Sequence, residues 1–273
     1  MYRIFLSSLL LCVLTAMASE PTAGYLGLMD KADKAISESK WQEAIEALDA
    51  AMKLEPDNPL NVLLLSNTGM IHHYAGNDSI AIETLSKAHR MAPKSVTVLK
   101  NRASVLTSAG HINDAIADYA ALIEMDTTLV EPLFYHAMLN LDKGNIATTE
   151  SDVELMKKRH PTHASTSLAE ATLCVVKGRF AEAIPLLTAV IKEKATAADL
   201  ATRSICYLMT DKLPEAADDI SAGLKLDPTE GELYLYRALL NKMRYRPDDA
   251  KADAEKARMF GVSAARIKAL DLQ

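Results

Sequence analysis

A pattern of small and apolar residues recurs along this chain at intervals of 33 to 37 residues. Its most regular position holds Ala44, Ala81, Ala115, Thr149, Ala183, Ala216 and Ala250. Four residues after each of these stand Leu48, Leu85, Tyr119, Val153, Leu187, Ile220 and Ala254. Twelve residues before each stands a second small residue, namely Ala32, Gly69, Ala103, Ala137, Ala171, Ser204 or Ala238. Agreement at these positions in seven successive segments identifies an internal repeat.

Each repeat reads as two amphipathic helices joined by a short turn. Glycines fall between the two halves of four repeats at a spacing of 34 residues, namely Gly76, Gly110, Gly144 and Gly178. Prolines follow the second helix in four repeats, namely Pro56, Pro93, Pro161 and Pro228. Glycine at this place suits the left-handed residue that ends many helices. The two small residues of a repeat lie where its helices would cross, because small side chains allow the backbones to approach closely. With only 5% aromatic residues and 10 glycines, the composition also favours helix over a β-sandwich or barrel.

These positions resemble the tetratricopeptide repeat family, in which 34-residue helix pairs stack side by side. The resemblance implies an all-α fold, a right-handed α-solenoid of about seven helix pairs plus a C-terminal capping helix. The repeats fit as 25–58, 62–95, 96–129, 130–163, 164–196, 197–230 and 231–264. Residues 19–264 are predicted to form one solenoid, and residues 265–273 to form the capping helix. The register is least regular in the fifth repeat, where Ser167 and Ala195 occupy signature positions.

The first eighteen residues have the pattern of a secretory signal peptide. Arg3 supplies a positive charge, residues 4–14 are almost wholly apolar, and Ala16-Met17-Ala18 fits the cleavage pattern. We therefore expect export, most readily to a bacterial periplasm, with residues 1–18 removed. A lipoprotein anchored through Cys12 is the less favoured alternative, because Leu11 stands where a small residue is required. No later apolar stretch approaches the length of a membrane span.

The chain lacks the sequence signals of the common catalytic and cofactor sites. It has no glycine-rich phosphate loop and no nucleophile elbow, so no enzyme activity and no cofactor are predicted. A formal net charge of -6 without a basic stripe argues against nucleic-acid binding. The acidic pairs Asp218-Asp219 and Asp248-Asp249 are interpreted as solvated helix faces or N-terminal dipole partners.

Histidines and cysteines do not form a convincing metal or disulfide site. Adjacent His72 and His73 would point about 100° apart on a helix, and the pair 160 and 163 falls in a turn between repeats. We interpret the turn pair as solvated histidines. Cys174 and Cys206 occupy similar places in adjacent repeats and are expected to be buried and unpaired.

The resemblance implies that a protein or peptide partner binds in the concave groove lined by the first helices. Family groove positions in the second to fourth repeats hold Asn67, Met70, His73, Lys100, Asn101, Phe134, Tyr135 and Met138, together with Ser66 and Ser104. The fifth and sixth repeats offer a mostly apolar set, Leu168, Thr172, Ala201, Ile205 and Leu208. This second set leaves open an alternative function, a carrier of a small or lipidic ligand.

Some members of the family clamp a C-terminal carboxylate with lysine, asparagine and arginine side chains. Here the corresponding places of the first repeat hold Met29 and Asp33, and those of the third hold Thr97 and Asn101. Only Asn67 matches that clamp, and Asp33 would repel a carboxylate. The carboxylate clamp is therefore not expected, and we predict an exported adaptor that binds a protein or peptide segment within an envelope complex.

Overall fold

The computed structural model describes residues 20–126 and 128–271, which form α-helices and contain no strand. The predicted signal peptide lies outside these residues. The first helices of the seven repeats are α1(Ala23–Ser37), α3(Asn61–Tyr74), α5(Val96–Ser108), α7(Val130–Asp142), α9(Ala164–Val176), α11(Ala197–Met209) and α13(Gly231–Met243). The second helices are α2(Trp41–Leu54), α4(Asp78–Met91), α6(Ile112–Met125), α8(Ile146–Arg159), α10(Phe180–Glu193), α12(Leu213–Leu226) and α14(Pro247–Met259). A short α15(Ala264–Ala269) follows, so the prediction of seven helix pairs and a terminal helix is confirmed.

The turn inside every repeat has the same backbone geometry. Its fifteenth residue has a positive φ in all seven repeats, at Gly76, Gly110, Gly144, Gly178, Ser39, Asp211 and Tyr245. The following residue donates a backbone hydrogen bond to the carbonyl five residues earlier, as His111 does to Leu106 at 2.8 Å. This is the Schellman arrangement that satisfies carbonyls at a helix end. The glycine pattern marks four of the seven turns, and three repeats keep the turn with an L side chain in the left-handed region.

The small residues of the repeat lie at the helix crossings, as expected. All seven early positions and the alanine or threonine of each second helix are buried. A Cβ added at Gly69 would lie only 2.6 Å from Cγ of Leu85. In the fourth repeat, Oγ1 of Thr149 donates a hydrogen bond to the carbonyl of Ala137 at 3.1 Å. Small side chains therefore set how closely the two helices of a repeat approach.

Contacts group the chain into two compact units, residues 1–135 and 136–273. In the N-terminal unit, side chains of α1, α2 and α3, among them Tyr25, Leu48 and Leu64, form one core cluster. In the C-terminal unit, the largest cluster joins α11 to α15. Ile267 of α15 is buried in that cluster, and Arg266 forms an ion pair with Glu232. The terminal helix thus covers apolar surface of the last repeat. It spans Ala264–Ala269, whereas the sequence predicts a helix over 265–273.

Ion pairs join the two helices in four of the repeats. The seventh residue of the repeat contacts the twenty-third in Arg102–Asp118, His136–Asp152, Arg203–Asp219 and Arg237–Asp253. All four aspartates are buried. The interpretation of Asp219 as a solvated acid is therefore wrong, because the helix pair brings it against Arg203 from a place 16 residues away. Its neighbour Asp218, like Asp248 and Asp249, is exposed.

The two cysteines are buried and free, as expected. Both belong to a core cluster with Ala171, Ala183 and Leu187. Burial raises the pKa of the Cys206 thiol to about 12 and also raises that of Cys174. Thiols with raised pKa values are poor nucleophiles at neutral pH, so these side chains act as small apolar core residues.

Candidate functional site

The candidate residues on α3 are half-buried and partly used by the fold. Met70 packs against the core cluster of Ala81, Leu85 and Val105. The Nδ1 atom of His73 lies 2.6 Å from Oδ1 of Asp78, which starts the next helix. Asn67 makes no hydrogen bond with any residue that the structure describes, so its amide is available to a ligand.

The candidate residues on α5 face two different neighbours. Nδ2 of Asn101 donates a hydrogen bond to Oγ of Ser66 at 3.0 Å and so links α5 to α3. Nζ of Lys100 lies 3.2 Å from Oε2 of Glu131 on α7, and both side chains are exposed at this contact. An exposed ion pair of this kind contributes at most about 1 kcal/mol, so a ligand can displace it at little cost.

Aromatic rings of α6 and α7 lie beside this ion pair. Tyr135 is 39% exposed and stacks on Tyr119, with ring centroids 5.5 Å apart. Phe134 meets Tyr135 edge to face at 5.5 Å. Tyr119 is buried, and burial raises the pKa of its phenol to about 12. The exposed face of Tyr135 is thus held in place by a buried ring beneath it.

Together these side chains form a cleft of about 70 Å³ in the N-terminal unit. We call it the tyrosine cleft, and its lining residues are Lys100, Ser104, Tyr119, Glu131, Pro132 and Tyr135. A water molecule occupies about 30 Å³, so the cleft has room for the end of one side chain or one peptide group. Lys100 can donate to a carbonyl or carboxylate oxygen, and Glu131 can accept from an amide N–H.

The sequence prediction identified only part of this cleft. The structure brings Lys100 and Tyr135 together, whereas Asn67, Met70 and His73 lie on α3 and do not line it. Tyr119, Glu131 and Pro132 were missed. The sequence offers one indication of the cleft, which is Tyr119. It is the one aromatic residue at a repeat position that otherwise holds aliphatic side chains or alanine.

The remaining candidates lie in the C-terminal unit. Met138 is half-buried on α7. Ala201, Ile205 and Leu208, predicted as apolar groove residues of the sixth repeat, are buried in the core cluster of α11 to α15. Because they fill the core, their apolar character gives the carrier alternative no support.

One turn histidine, His163, has a structural role at a helix end. Nδ1 of His163 accepts a hydrogen bond from the backbone N–H of Ser165 at 3.1 Å and so caps α9. His163 is therefore not only a solvated turn residue.

Within residues 20–126 and 128–271, no group of three or more histidine, cysteine or acidic side chains is arranged to hold a metal ion. In the same residues, no helix is both long and apolar enough to span a bilayer.

No family model and no curated protein sequence matches the chain. A tetratricopeptide repeat protein from Parabacteroides merdae is 27% identical, with a TM-score of 0.75 over 92% of this chain and 99% of its own. A chain of the APC/C hetero-tetramer Cut9-Hcn1 is 18% identical, with a TM-score of 0.67 over 89% of this chain and 54% of its own. The pilF protein of Pseudomonas aeruginosa is 15% identical, with a TM-score of 0.64 over 79% and 97%. The fold is therefore that of the tetratricopeptide repeat proteins.

Proposed function

We propose that this tetratricopeptide repeat chain is a non-enzymatic adaptor that binds an extended segment of a partner protein along the first helices of its N-terminal unit. Folds of this type are interaction scaffolds, and the adaptor class follows from that. The observation that supports this particular surface is the tyrosine cleft. It combines an exposed aromatic face with a displaceable ion pair, Lys100–Glu131.

A peptide can satisfy each group of the cleft. Its backbone carbonyl or an acidic side chain would accept from Lys100, and its amide N–H would donate to Glu131. An apolar or aromatic side chain of the peptide would pack on the ring of Tyr135. Tyrosine is among the residues that contribute most to the binding energy of protein interfaces. The α3 candidates Asn67, Met70 and His73, which belong to the same unit, remain predicted contacts of this segment.

The test is capture of the partner with purified protein, followed by mass spectrometry. The double variant Lys100→Glu with Tyr135→Ala should lose the captured partner while its circular dichroism melt stays close to that of the wild type. A matched control, Lys251→Glu with Tyr245→Ala, makes the same chemical changes at two exposed residues of the C-terminal unit. If the first variant retains the partner, or the control loses it equally, the cleft is not the binding surface.

We also propose that the adaptor acts after export, in an envelope complex. The support is the sequence of residues 1–18, with its charged start, apolar middle and small residues at 16 and 18. N-terminal sequencing of the protein from an envelope fraction should begin at Ser19. A full-length cytoplasmic product would reject export, and acylation of Cys12 would assign the protein to the lipoproteins.

A further inference from the structure

A second hollow surface lies in the N-terminal unit, between the second helices of repeats one and two. Two adjoining cavities of about 350 and 340 Å³ share the residues Asp49, Leu65 and Lys87. α2 and α4 form the walls, and α3 forms the floor. We call this surface the α2–α4 trough. None of the residues of the tyrosine cleft lines it.

The second repeat lacks the ion pair that joins the helices in four other repeats. Its seventh and twenty-third places hold Thr68 and Thr84, and both line the trough. Oγ1 of Thr68 bonds back to the carbonyl of Leu64 at 3.0 Å, within its own helix. No charged group of the second repeat therefore takes the place of the buried aspartate at this crossing.

The seventh repeat shows what the missing groups would do. There, Arg237 and Asn241 both donate to the carboxylate of Asp253, at 2.6 to 3.0 Å. The place of Asn241 is taken in the second repeat by His72, whose Nδ1 atom is buried and has no hydrogen-bond partner among the described residues. A buried polar atom without a partner is uncommon in native proteins, and the second repeat here leaves unmade a hydrogen bond that the seventh repeat makes within the chain.

The trough also carries charges that the chain does not neutralise. Lys53, Lys87 and Arg90 line it near the ends of α2 and α4, and none of them forms an ion pair or hydrogen bond with a described residue. Two carboxylates, Asp49 and Glu83, lie nearer the starts of these helices. The three cations outnumber the two acids, in a chain whose formal net charge is -6.

Apolar side chains lie next to the cations. Met52, Leu65 and Met91 line the cavity that contains Lys53, and Met91 is 54% exposed. At the opposite end, Ile80 is 48% exposed and lines the other cavity. Methionine adapts its shape to varied apolar partners. A helix of 14 residues is about 21 Å long, so the trough matches about six residues of extended chain.

From these observations we propose that the α2–α4 trough binds an acidic, aliphatic-rich segment of a partner protein. Acidic side chains pair with Lys53, Lys87 and Arg90, and aliphatic side chains pack on Met52, Leu65 and Met91. The segment supplies the carboxylate that the second repeat lacks. This site is separate from the tyrosine cleft and does not depend on the function proposed for it.

Fluorescence anisotropy with labelled synthetic peptides tests the proposal directly. The probe is a six-residue peptide of alternating leucine and glutamate with neutral ends, and its counterparts replace glutamate by glutamine or lysine. The purified protein should bind the leucine–glutamate peptide at least tenfold more tightly than the leucine–glutamine peptide. Equal binding of the three peptides would overturn the proposal.

Variants then locate the binding site. Lys87→Ala with Arg90→Ala should weaken binding of the leucine–glutamate peptide at least tenfold. The control Lys194→Ala with Arg246→Ala removes two exposed cations from the C-terminal unit and should leave binding within twofold of the wild type. Equal losses in the two variants would show attraction by overall charge only, and the proposal would be wrong.

A third variant tests the role of the missing ion pair. Thr68→Arg with Thr84→Asp installs the pair found in repeats three, six and seven and should weaken the peptide by at least tenfold without lowering the melting temperature. Unchanged affinity in a folded variant would contradict the assignment. Loss of binding in Lys100→Glu with Tyr135→Ala, but not in Lys87→Ala with Arg90→Ala, would place the peptide in the tyrosine cleft and would also overturn the trough assignment.

Discussion

Arg203 and Asp219 form a two-pronged ion pair between the helices of the sixth repeat. Nε and Nη2 of the arginine donate to the two carboxylate oxygens, each at 2.7 Å. Asp219 is only 5% exposed. The hydrogen bond to the carboxylate raises the pKa of the arginine, although burial opposes this. The guanidinium therefore keeps its charge in the folded protein.

Removing one partner of this pair should destabilise the protein strongly. Asp219→Ala leaves a mostly buried guanidinium without its carboxylate partner, and we expect a loss of about 3 kcal/mol in the free energy of unfolding. Asp218→Ala, one residue away on the exposed face, should change it by less than about 0.5 kcal/mol. Urea unfolding monitored by circular dichroism compares the two. Similar midpoints would show that the pair contributes little.

Enlarging a residue at a helix crossing should also be costly. Ala103 is fully buried at the crossing of the third repeat, so Ala103→Leu should lower the free energy of unfolding by about 1–3 kcal/mol through overpacking. Ser108→Leu makes a comparable enlargement at an exposed place on the same helix and serves as the control. A midpoint for Ala103→Leu that equals the wild-type value would mean that the crossing has room for the larger side chain.

The turn of the last repeat offers a stabilising substitution. Tyr245 has a φ of 58° and is 93% exposed, so it has a strained backbone and few contacts to lose. Tyr245→Gly should raise the free energy of unfolding by about 0.5–1 kcal/mol. At the same place of the fifth repeat φ is 72°, so Gly178→Ala, which puts a side chain on a left-handed residue, should lower the free energy of unfolding by about 1 kcal/mol. Thermal melts of both variants measure the two effects, which must have opposite signs.

Acid should weaken the N-terminal unit partly through His89. Burial, together with the nearby Arg102 guanidinium, lowers the pKa of this imidazole below its usual 6.5. The unfolded chain therefore binds the proton more readily than the folded chain, so stability falls as the pH drops through 6.5 and the loss levels off below the lowered pKa. The glutamine variant His89→Gln should show a smaller difference in urea midpoint between pH 7.5 and pH 5.5 than the wild type.

The control for this prediction is the exposed His111. His111→Gln should keep the full wild-type difference between the two pH values. If both histidine variants behave alike, the acid sensitivity arises elsewhere in the protein, and burial of His89 does not contribute to it.

The sequence alone determined the helices, the repeat and the crossings. Small residues recur at 34-residue spacing because every helix pair must approach to the same distance, and this requirement is local to each repeat. For the same reason Ala103, Ala137 and Thr149 lie buried where the pattern places them. The sequence also marks four turns by glycine, because a positive φ favours that residue.

Only the tertiary structure decided which polar side chains serve the fold and which face solvent. Asp218 and Asp219 are adjacent and chemically identical, but only one of them lies against an arginine 16 residues earlier. In the same way, Asn101 is paired with Ser66 inside the unit, whereas Lys53, Lys87 and Arg90 remain without partners around a trough. These outcomes depend on distances of a few ångströms between side chains of separate helices. The spacing of residues along one helix does not specify those distances.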